Sequence, residues 1–219
     1  MLYKNTTTIF KKSCQANWRR WRKSLKIKQN ETVYNDKVEC LNELKLLEKQ
    51  GHIDVFYGDE SGFSLNCVIP YCWQFKNELI EIVPQRGKTL NVFGIMNSNG
   101  KELKTFTKEG TIMAEFIINA IDEFVLTLKK MTVLILDNAR IHHSKIFQEK
   151  KQKWEDAGLY IFYLPAYSPH LNQIEILWRQ VKYRWIKPND YQNLDTLKNA
   201  LNSIWETFGN SYKVNFSKN

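Results

Sequence analysis

The chain has 219 residues, 43% hydrophobic and 25% charged, with a formal net charge of +9. That length buries the core of one ordinary domain plus a small appendage, and no run approaches the roughly 18 apolar residues of a membrane span. The start lacks the apolar stretch of a secretory signal, so a soluble cytoplasmic protein with no membrane partner is expected.

The charge is concentrated in the first element. Residues 1 to 30 hold nine of the 32 basic residues and no acid, so the 23 basic residues beyond balance the 23 acidic ones. Trp18, Arg19, Arg20, Trp21, Arg22 and Lys23 form a basic, aromatic-bearing arm. Such an arm suits DNA, because Arg and Lys displace counterions from phosphates and indoles stack or wedge. A solvated, frayed terminus is the alternative. Residues 31 to 50 read as a charged amphipathic linker helix, with Val38, Leu41, Leu44 and Leu47 or Glu48 at three- and four-residue steps, ended by Gly51.

From Ile53 the pattern changes to strands over 53–65, 79–83, 89–96 and 102–107, separated by Pro70, Pro84, Gly87 and the turn at 97–100. Three consecutive strands there make an antiparallel meander. A helix over 111–130, a strand over 132–137, a Lys-rich helix near 144–157 and a strand over 159–164 follow. This alternation calls for parallel pairing. After Pro165-Ala-Tyr-Ser-Pro169, a helix carries Leu171, Ile174, Trp178, Val181 and Trp185 as its buried stripe, and an amphipathic segment over 194–208 closes the domain. The cysteines Cys14, Cys40, Cys67 and Cys72 lack the paired spacing of a zinc site and read as reduced, half-buried thiols.

Three acids stand out against this background. Asp59, in VFYGDESGF, and Asp137, in LILDNARIHHSK, lie at the ends of apolar runs, where a carboxylate is rarely placed unless it is paired or holds a metal. Glu175 falls on the first turn of the helix after the Pro-rich loop, a quarter turn off the buried stripe, on a flank shared with Arg179 and Lys182. By spacing alone a Glu175–Arg179 surface pair is the competing explanation. If the strands bearing Asp59 and Asp137 are parallel neighbours, their carboxylates approach to roughly one strand spacing, about 5 Å. Two such acids repel unless a cation lies between them. Magnesium prefers oxygen donors, and two ions about 4 Å apart neutralise a scissile phosphate, activate a water or hydroxyl and stabilise the leaving oxygen.

GDESGF, LDNARIH and LPAYSPHLNQIEILW, in this order and spacing, together with WRRWRK and PYCWQ, resemble the catalytic core of the IS630-type transposases, the bacterial branch of the Tc1/mariner superfamily. The resemblance runs from about Trp18 past Trp185. It implies an α/β fold, a ribonuclease-H-like mixed five-stranded sheet flanked by helices. It also implies a DDE triad in which Asp59 bridges two Mg2+ ions, with Mn2+ as a substitute, while Asp137 and Glu175 complete one site each. The activity implied is DNA strand cleavage followed by transfer of the 3′ end. The partners implied are transposon ends and target DNA, held by a homodimer or higher assembly, nucleoid-associated in a bacterium. A noncatalytic DNA-binding remnant and a ribonuclease-H-like nuclease without strand joining are the alternatives.

Neighbouring residues take secondary roles in this reading. Asn138 orients a ligand or a turn, His142 is a loop residue near phosphate or beside a ligand, Ser168 caps the helix presenting Glu175, and Asn172 belongs to the family's SPxLN element. Arg179 and Lys182 flank bound phosphates. Glu60, alternating to the other face of its strand, is structural, and Trp73 and Trp178 are core residues. Residues 1–52 read as a basic arm and linker helix, which the resemblance implies is a remnant of, or the junction to, a helix-turn-helix DNA-binding region that this sequence lacks. Residues 53–188 read as the catalytic domain and 189–219 as a C-terminal helix and tail.

Overall fold

In a computed structural model the described residues are 30–67, 75–77, 79, 81 and 89–216. The basic arm with Trp18, Arg19, Arg20, Trp21, Arg22 and Lys23, together with Cys14, Cys72 and Trp73, lies outside them, as does most of the segment expected as a strand over 79–83.

Helix α1 (Glu31–Lys49) begins at Asn30, whose side chain accepts from the Val33 amide. It ends where Gly51 takes φ +82, a left-handed turn open to glycine. Only Leu41 of its stripe is fully buried, with Leu44 packed beside it, while Leu47 is exposed. Glu48 instead turns inward, accepting from the Val55 amide and the Ser98 hydroxyl. That pairing ties the helix to the start of the sheet.

The sheet has five strands, β1 (Asp54–Ser64), β2 (Thr89–Asn97), β3 (Leu103–Glu109), β4 (Thr132–Leu136) and β5 (Leu159–Tyr163), in the order β3-β2-β1-β4-β5. The first three run antiparallel, while β4 and β5 lie parallel to β1. The helices α2 (Ala114–Val125) and α3 (Lys145–Asp156) form the connections that parallel pairing demands. Helix α2 is shorter than the expected 111–130, because the Thr127 hydroxyl donates back to the Phe124 carbonyl and closes its end.

Alternation along the strands divides the core into two layers. Val55, Tyr57, Phe63, Val133 and Ile135 pack on one face with α4 (Ile174–Gln180) and α5 (Leu194–Glu206). Phe93, Ile95, Leu134 and Leu136 pack on the other with α2 and α3. Leu197, Leu201 and Ile204 of α5 belong to the same cluster as Leu177 and Trp178 of α4. The single helix expected from Leu171 to Trp185 is composite: a 3-10 turn at Pro169–Leu171, then α4, then a π-helical turn at Val181–Trp185.

One glycine decides how close α4 can come. A Cβ built on Gly94 of β2 would stand 2.6 Å from Trp178 Cη2, 2.9 Å from Cζ2 and 3.2 Å from Ile174 Cδ1. The indole lies against bare backbone there. Gly94→Ala is therefore expected to push α4 off the sheet, at a cost of about 1–3 kcal/mol for overpacking a rigid ring. Thermal melts measure the cost, and an unchanged melting temperature would show that the ring has room to move.

Candidate active site

Asp59 sits in the middle of β1, within the strand expected over 53–65 and at the end of its apolar run. The apolar run stops there because parallel pairing stops: β1 and β4 pair from Asp54↔Thr132 to Tyr57↔Ile135, and beyond that β1 continues against β2 alone. Continuing the register by two residues sets Asp59 opposite Asp137, just past the end of β4. Both follow residues of the α4 face (Tyr57 and Ile135) by two positions, so both carboxylates emerge on that side. Glu175 comes from the first turn of α4 above them.

The three acids line one cleft of about 330 Å³, together with Asn138, Tyr167, Ser168 and Asn172. Asp59 accepts from Trp178 Nε1 through Oδ2 at 3.0 Å, and Trp178 is 3% exposed. The strand bearing the first acid is thus fastened to the helix bearing the third. Burial, and then the charges of Glu175, Glu60 and Asp137, push the Asp59 carboxyl up to about 8. Burial also raises Glu175, against the opposing charges of Lys182 and Arg179.

Asp137 titrates the other way. Burial alone would raise it, but the hydrogen bond and charge of His142, with the Ala139 amide 3.1 Å from Oδ1, hold it below the ordinary carboxylate value. His142 is fully buried, with Nδ1 3.1 Å from Asp137 Oδ1 and Nε2 3.3 Å from Glu60 Oε1. Burial opposes its charge, yet the two carboxylates outweigh burial and raise the imidazole to about 10. Of the two roles expected of His142, near phosphate or beside a ligand, a side chain with no exposed surface between Asp137 and Glu60 fits the second. Glu60 acquires a role for the same reason, since alternation turns it to the far face, where the imidazole lies.

Other expected residues move as well. Ser168 does not cap α4: the 3-10 turn intervenes, Gln173 holds the N-cap position, and the Ser168 hydroxyl donates to the Ala166 carbonyl. Asn172 is buried, and its amide nitrogen donates to the Gly58 carbonyl at 3.3 Å, fastening the loop beside Asp59. Asn138 pairs its Oδ1 with His143 Nε2. Arg179 is exposed, and its Nε donates to the backbone carbonyl of Glu175 rather than bridging the carboxylates of the competing surface-pair explanation. Lys182 Nζ lies 5.2 Å above the Phe63 ring, with its pKa lowered by burial against the pull of Glu175 and Asp59. Trp178 and Glu60 are the functional neighbours that the sequence reading treated as core and structural. The indole N–H, which needs a partner when buried, was the available signal.

Among the described residues, no three acid, histidine or cysteine side chains stand close enough to enclose an ion as they are. The donor set nevertheless fits a hydrated divalent cation: three carboxylates that repel one another, and a buried Asn172 Oδ1 with no partner among the described residues, able to accept from a water on such an ion. Linkage makes this testable. Folded Asp59 keeps a proton up to about 8 that the unfolded chain releases near 3.8, so each rise in pH between those values costs the fold stability. The chelated protein is expected to melt about 10 °C lower at pH 8 than at pH 5, and Mg2+ to restore, at pH 8 only, the part of that fall that Asp59 causes. Melts at the two pH values, with chelator or Mg2+, measure this.

A family model described as DDE superfamily endonuclease matches residues 54–198. A protein of Shigella sonnei, described as the insertion element IS630 uncharacterized 39 kDa protein, is 28% identical over 167 residues, covering 74% of this chain and 46% of its own length. The chain thus spans less than half of that relative. Among solved structures, the Mos1 strand transfer complex is similar at TM-score 0.61 and 16% identity, over 93% of this chain and 62% of that one. The mariner Mos1 paired-end complex with Mg is similar at TM-score 0.59 and 14% identity, over the same shares. The shared fold is the ribonuclease-H-like mixed sheet flanked by helices.

Proposed function

Because the chain belongs to the DDE superfamily of endonucleases, as a catalytic domain of the IS630/Tc1-mariner transposase type, we propose that it cuts DNA strands and joins the freed 3′ hydroxyl to target DNA with the help of two divalent ions. The observation that supports this reading best is that Asp59 of β1 and Asp137, just past the end of the parallel neighbour β4, line one cleft with Glu175.

In this reading Asp59, Asp137 and Glu175 hold the ions. Bound Mg2+ or Mn2+ would supply the charge to neutralise the scissile phosphate and to acidify the attacking water or hydroxyl. The chain's own residues do the rest. Trp178 fixes one oxygen of Asp59, so that the other is presented to the cleft. His142 and the Ala139 amide do the same for Asp137 through its Oδ1. Lys182 and Arg179, beside Glu175, supply positive charge to a phosphate entering from the α4 side. Hydrolysis and strand transfer are both in-line attacks on phosphorus, so one site serves both.

The same proposal covers organisation and partners. Residues 53–188 carry the chemistry, 1–52 join it to a DNA-recognition region, and 189–219 close the fold. The protein works in the cytoplasm, where bacterial DNA lies, as a homodimer or higher assembly on transposon ends. Similarity to a strand transfer complex and to paired-end complexes of Mos1 supports this reading. The test is transfer of a pre-cleaved 3′ end into plasmid DNA in Mn2+, with a chelated control. Joined products that require the metal are expected. Nicked plasmid without joined molecules would replace the proposal with a plain nuclease, and metal-independent products would remove the triad.

A further inference from the structure

Beside α4, separate from the cleft of the acids, lies a groove of about 660 Å³ whose lining includes Lys45, His170, Arg179, Tyr183, Arg184 and Phe216 and no acid. Beyond residue 30 the chain carries equal numbers of basic and acidic residues, so an acid-free lining is a local concentration of charge. Lys45, Arg179 and Arg184 form no ion pair with any described residue, whereas Lys130 and Lys150 elsewhere on the surface each hold an aspartate. The elements around the groove are firmly held. Tyr34 of α1 meets His170 Nε2 through its hydroxyl at 3.0 Å, joining α1 to the loop before α4. The π-helical turn Val181–Trp185 presents Tyr183, 55% exposed, next to Arg184.

Cations with no ion-pair partner among the described residues, beside an exposed aromatic ring, match the chemistry of a nucleic-acid backbone: phosphates pair with Lys and Arg, and a sugar or base lies against the ring. Arg179 joins the two sites, because its Nε meets the carbonyl of Glu175 while its side chain lines the groove. We propose that this groove, bounded by Lys45 of α1 and by Arg179, Tyr183 and Arg184 of the α4 segment, is a second, sequence-independent DNA-backbone site that carries a duplex past the helix bearing Glu175. The choice of DNA among polyanions rests on the function proposed above.

The experiment compares the whole chain with K45Q/R184Q by fluorescence anisotropy on a random-sequence duplex, in chelator, across a series of KCl concentrations. Both residues are exposed, so the variant is expected to melt with the wild type. A second double variant, K145Q/K153Q, removes the same charge from the exposed face of α3. Each lost phosphate contact lowers the slope of log affinity against log salt by about 1, so the groove variant is expected to lose about 2 from the slope and about tenfold or more in affinity. The α3 variant is expected to lose little. Equal losses in the two variants, or a groove variant that binds as wild type, would overturn the proposal. Displacement of a dye-labelled polyglutamate from the groove, without loss of DNA binding in K45Q/R184Q, would assign the site to an acidic protein and overturn it too. Because binding is read without metal, the outcomes separate. A protein that joins DNA while its groove variant binds normally loses only this proposal, and one that fails to join DNA while the groove variant loses affinity loses only the catalytic reading.

Discussion

Asp59→Asn is expected to lower metal-dependent DNA joining by about three orders of magnitude, equivalent to about 4 kcal/mol of barrier, while making the metal-free protein more heat-stable at pH 8. The two effects share a cause. Asp59 is held among Glu175, Glu60 and Asp137 in a partly dry cleft, and its carboxyl is pushed up to about 8 because ionising it there is unfavourable. An amide cannot ionise, so the strain that accumulates above pH 4 disappears. The substituted amide's carbonyl can still accept from Trp178 Nε1, which leaves packing intact. The stability gain is expected at pH 8 and absent at pH 4, where the wild-type group is protonated already. Melts at both pH values, beside strand-transfer assays, read the two effects separately. A D59N protein that joins DNA at the wild-type rate would end the case for Asp59 as a metal-holding acid. One that loses activity without gaining stability would show that the carboxylate is not strained.

The largest expected loss of stability follows His142→Ala. Its ring is fully buried and lies between Asp137 and Glu60, so its removal leaves two carboxylates without their cation and opens a void against Phe147. Breaking a buried pair costs about 3–5 kcal/mol. The lower end, about 3 kcal/mol, is expected here because Asp137 is about half exposed and water screens it. The pH dependence has a fixed sign. Folded His142 is raised to about 10 from an ordinary 6.5, so its contribution is complete below pH 6.5 and fades as pH climbs towards 10. Wild-type stability should therefore decline between those values, and the variant should lose that part of the decline while keeping the Asp59 part below pH 8. Activity is also expected to fall, with the optimum moved upward, because Asp137 loses the partner that keeps it ionised. A variant as stable as wild type at pH 6 would show that the imidazole carries no charge.

Much of the architecture was legible because it is periodic. The switch from alternating strands to strand–helix alternation gave the antiparallel half and the parallel half, and apolar runs ending in Asp59 and Asp137 marked the strands that carry acids. What was illegible was partnership. Nothing local to Trp178 distinguishes a core indole from one whose N–H reaches an acid on β1, and nothing local to His142 tells a solvent-facing loop from a buried one. Ser168 shows the converse error: a serine before a helix is an ordinary cap, but the extra 3-10 turn at Pro169–Leu171 moved α4 out of its reach. The apolar run that stops at Asp59 marks where pairing with β4 gives out, while β1 itself continues, as the strand over 53–65 implied.

The contact of Trp178 with bare backbone at Gly94 carries a consequence for ion selectivity. The separation of Asp59 from Glu175 is set by how deeply one aromatic plate sits against the sheet, so the aperture between them is gauged by the hydrophobic core rather than by a loop. Magnesium demands a small, near-octahedral arrangement, while calcium accepts a wider one. Uncharged substitutions at this contact, directly beside Asp59 through the Gly94 register and the Trp178 hydrogen bond, would therefore retune which cation the chain prefers without altering a single charged residue.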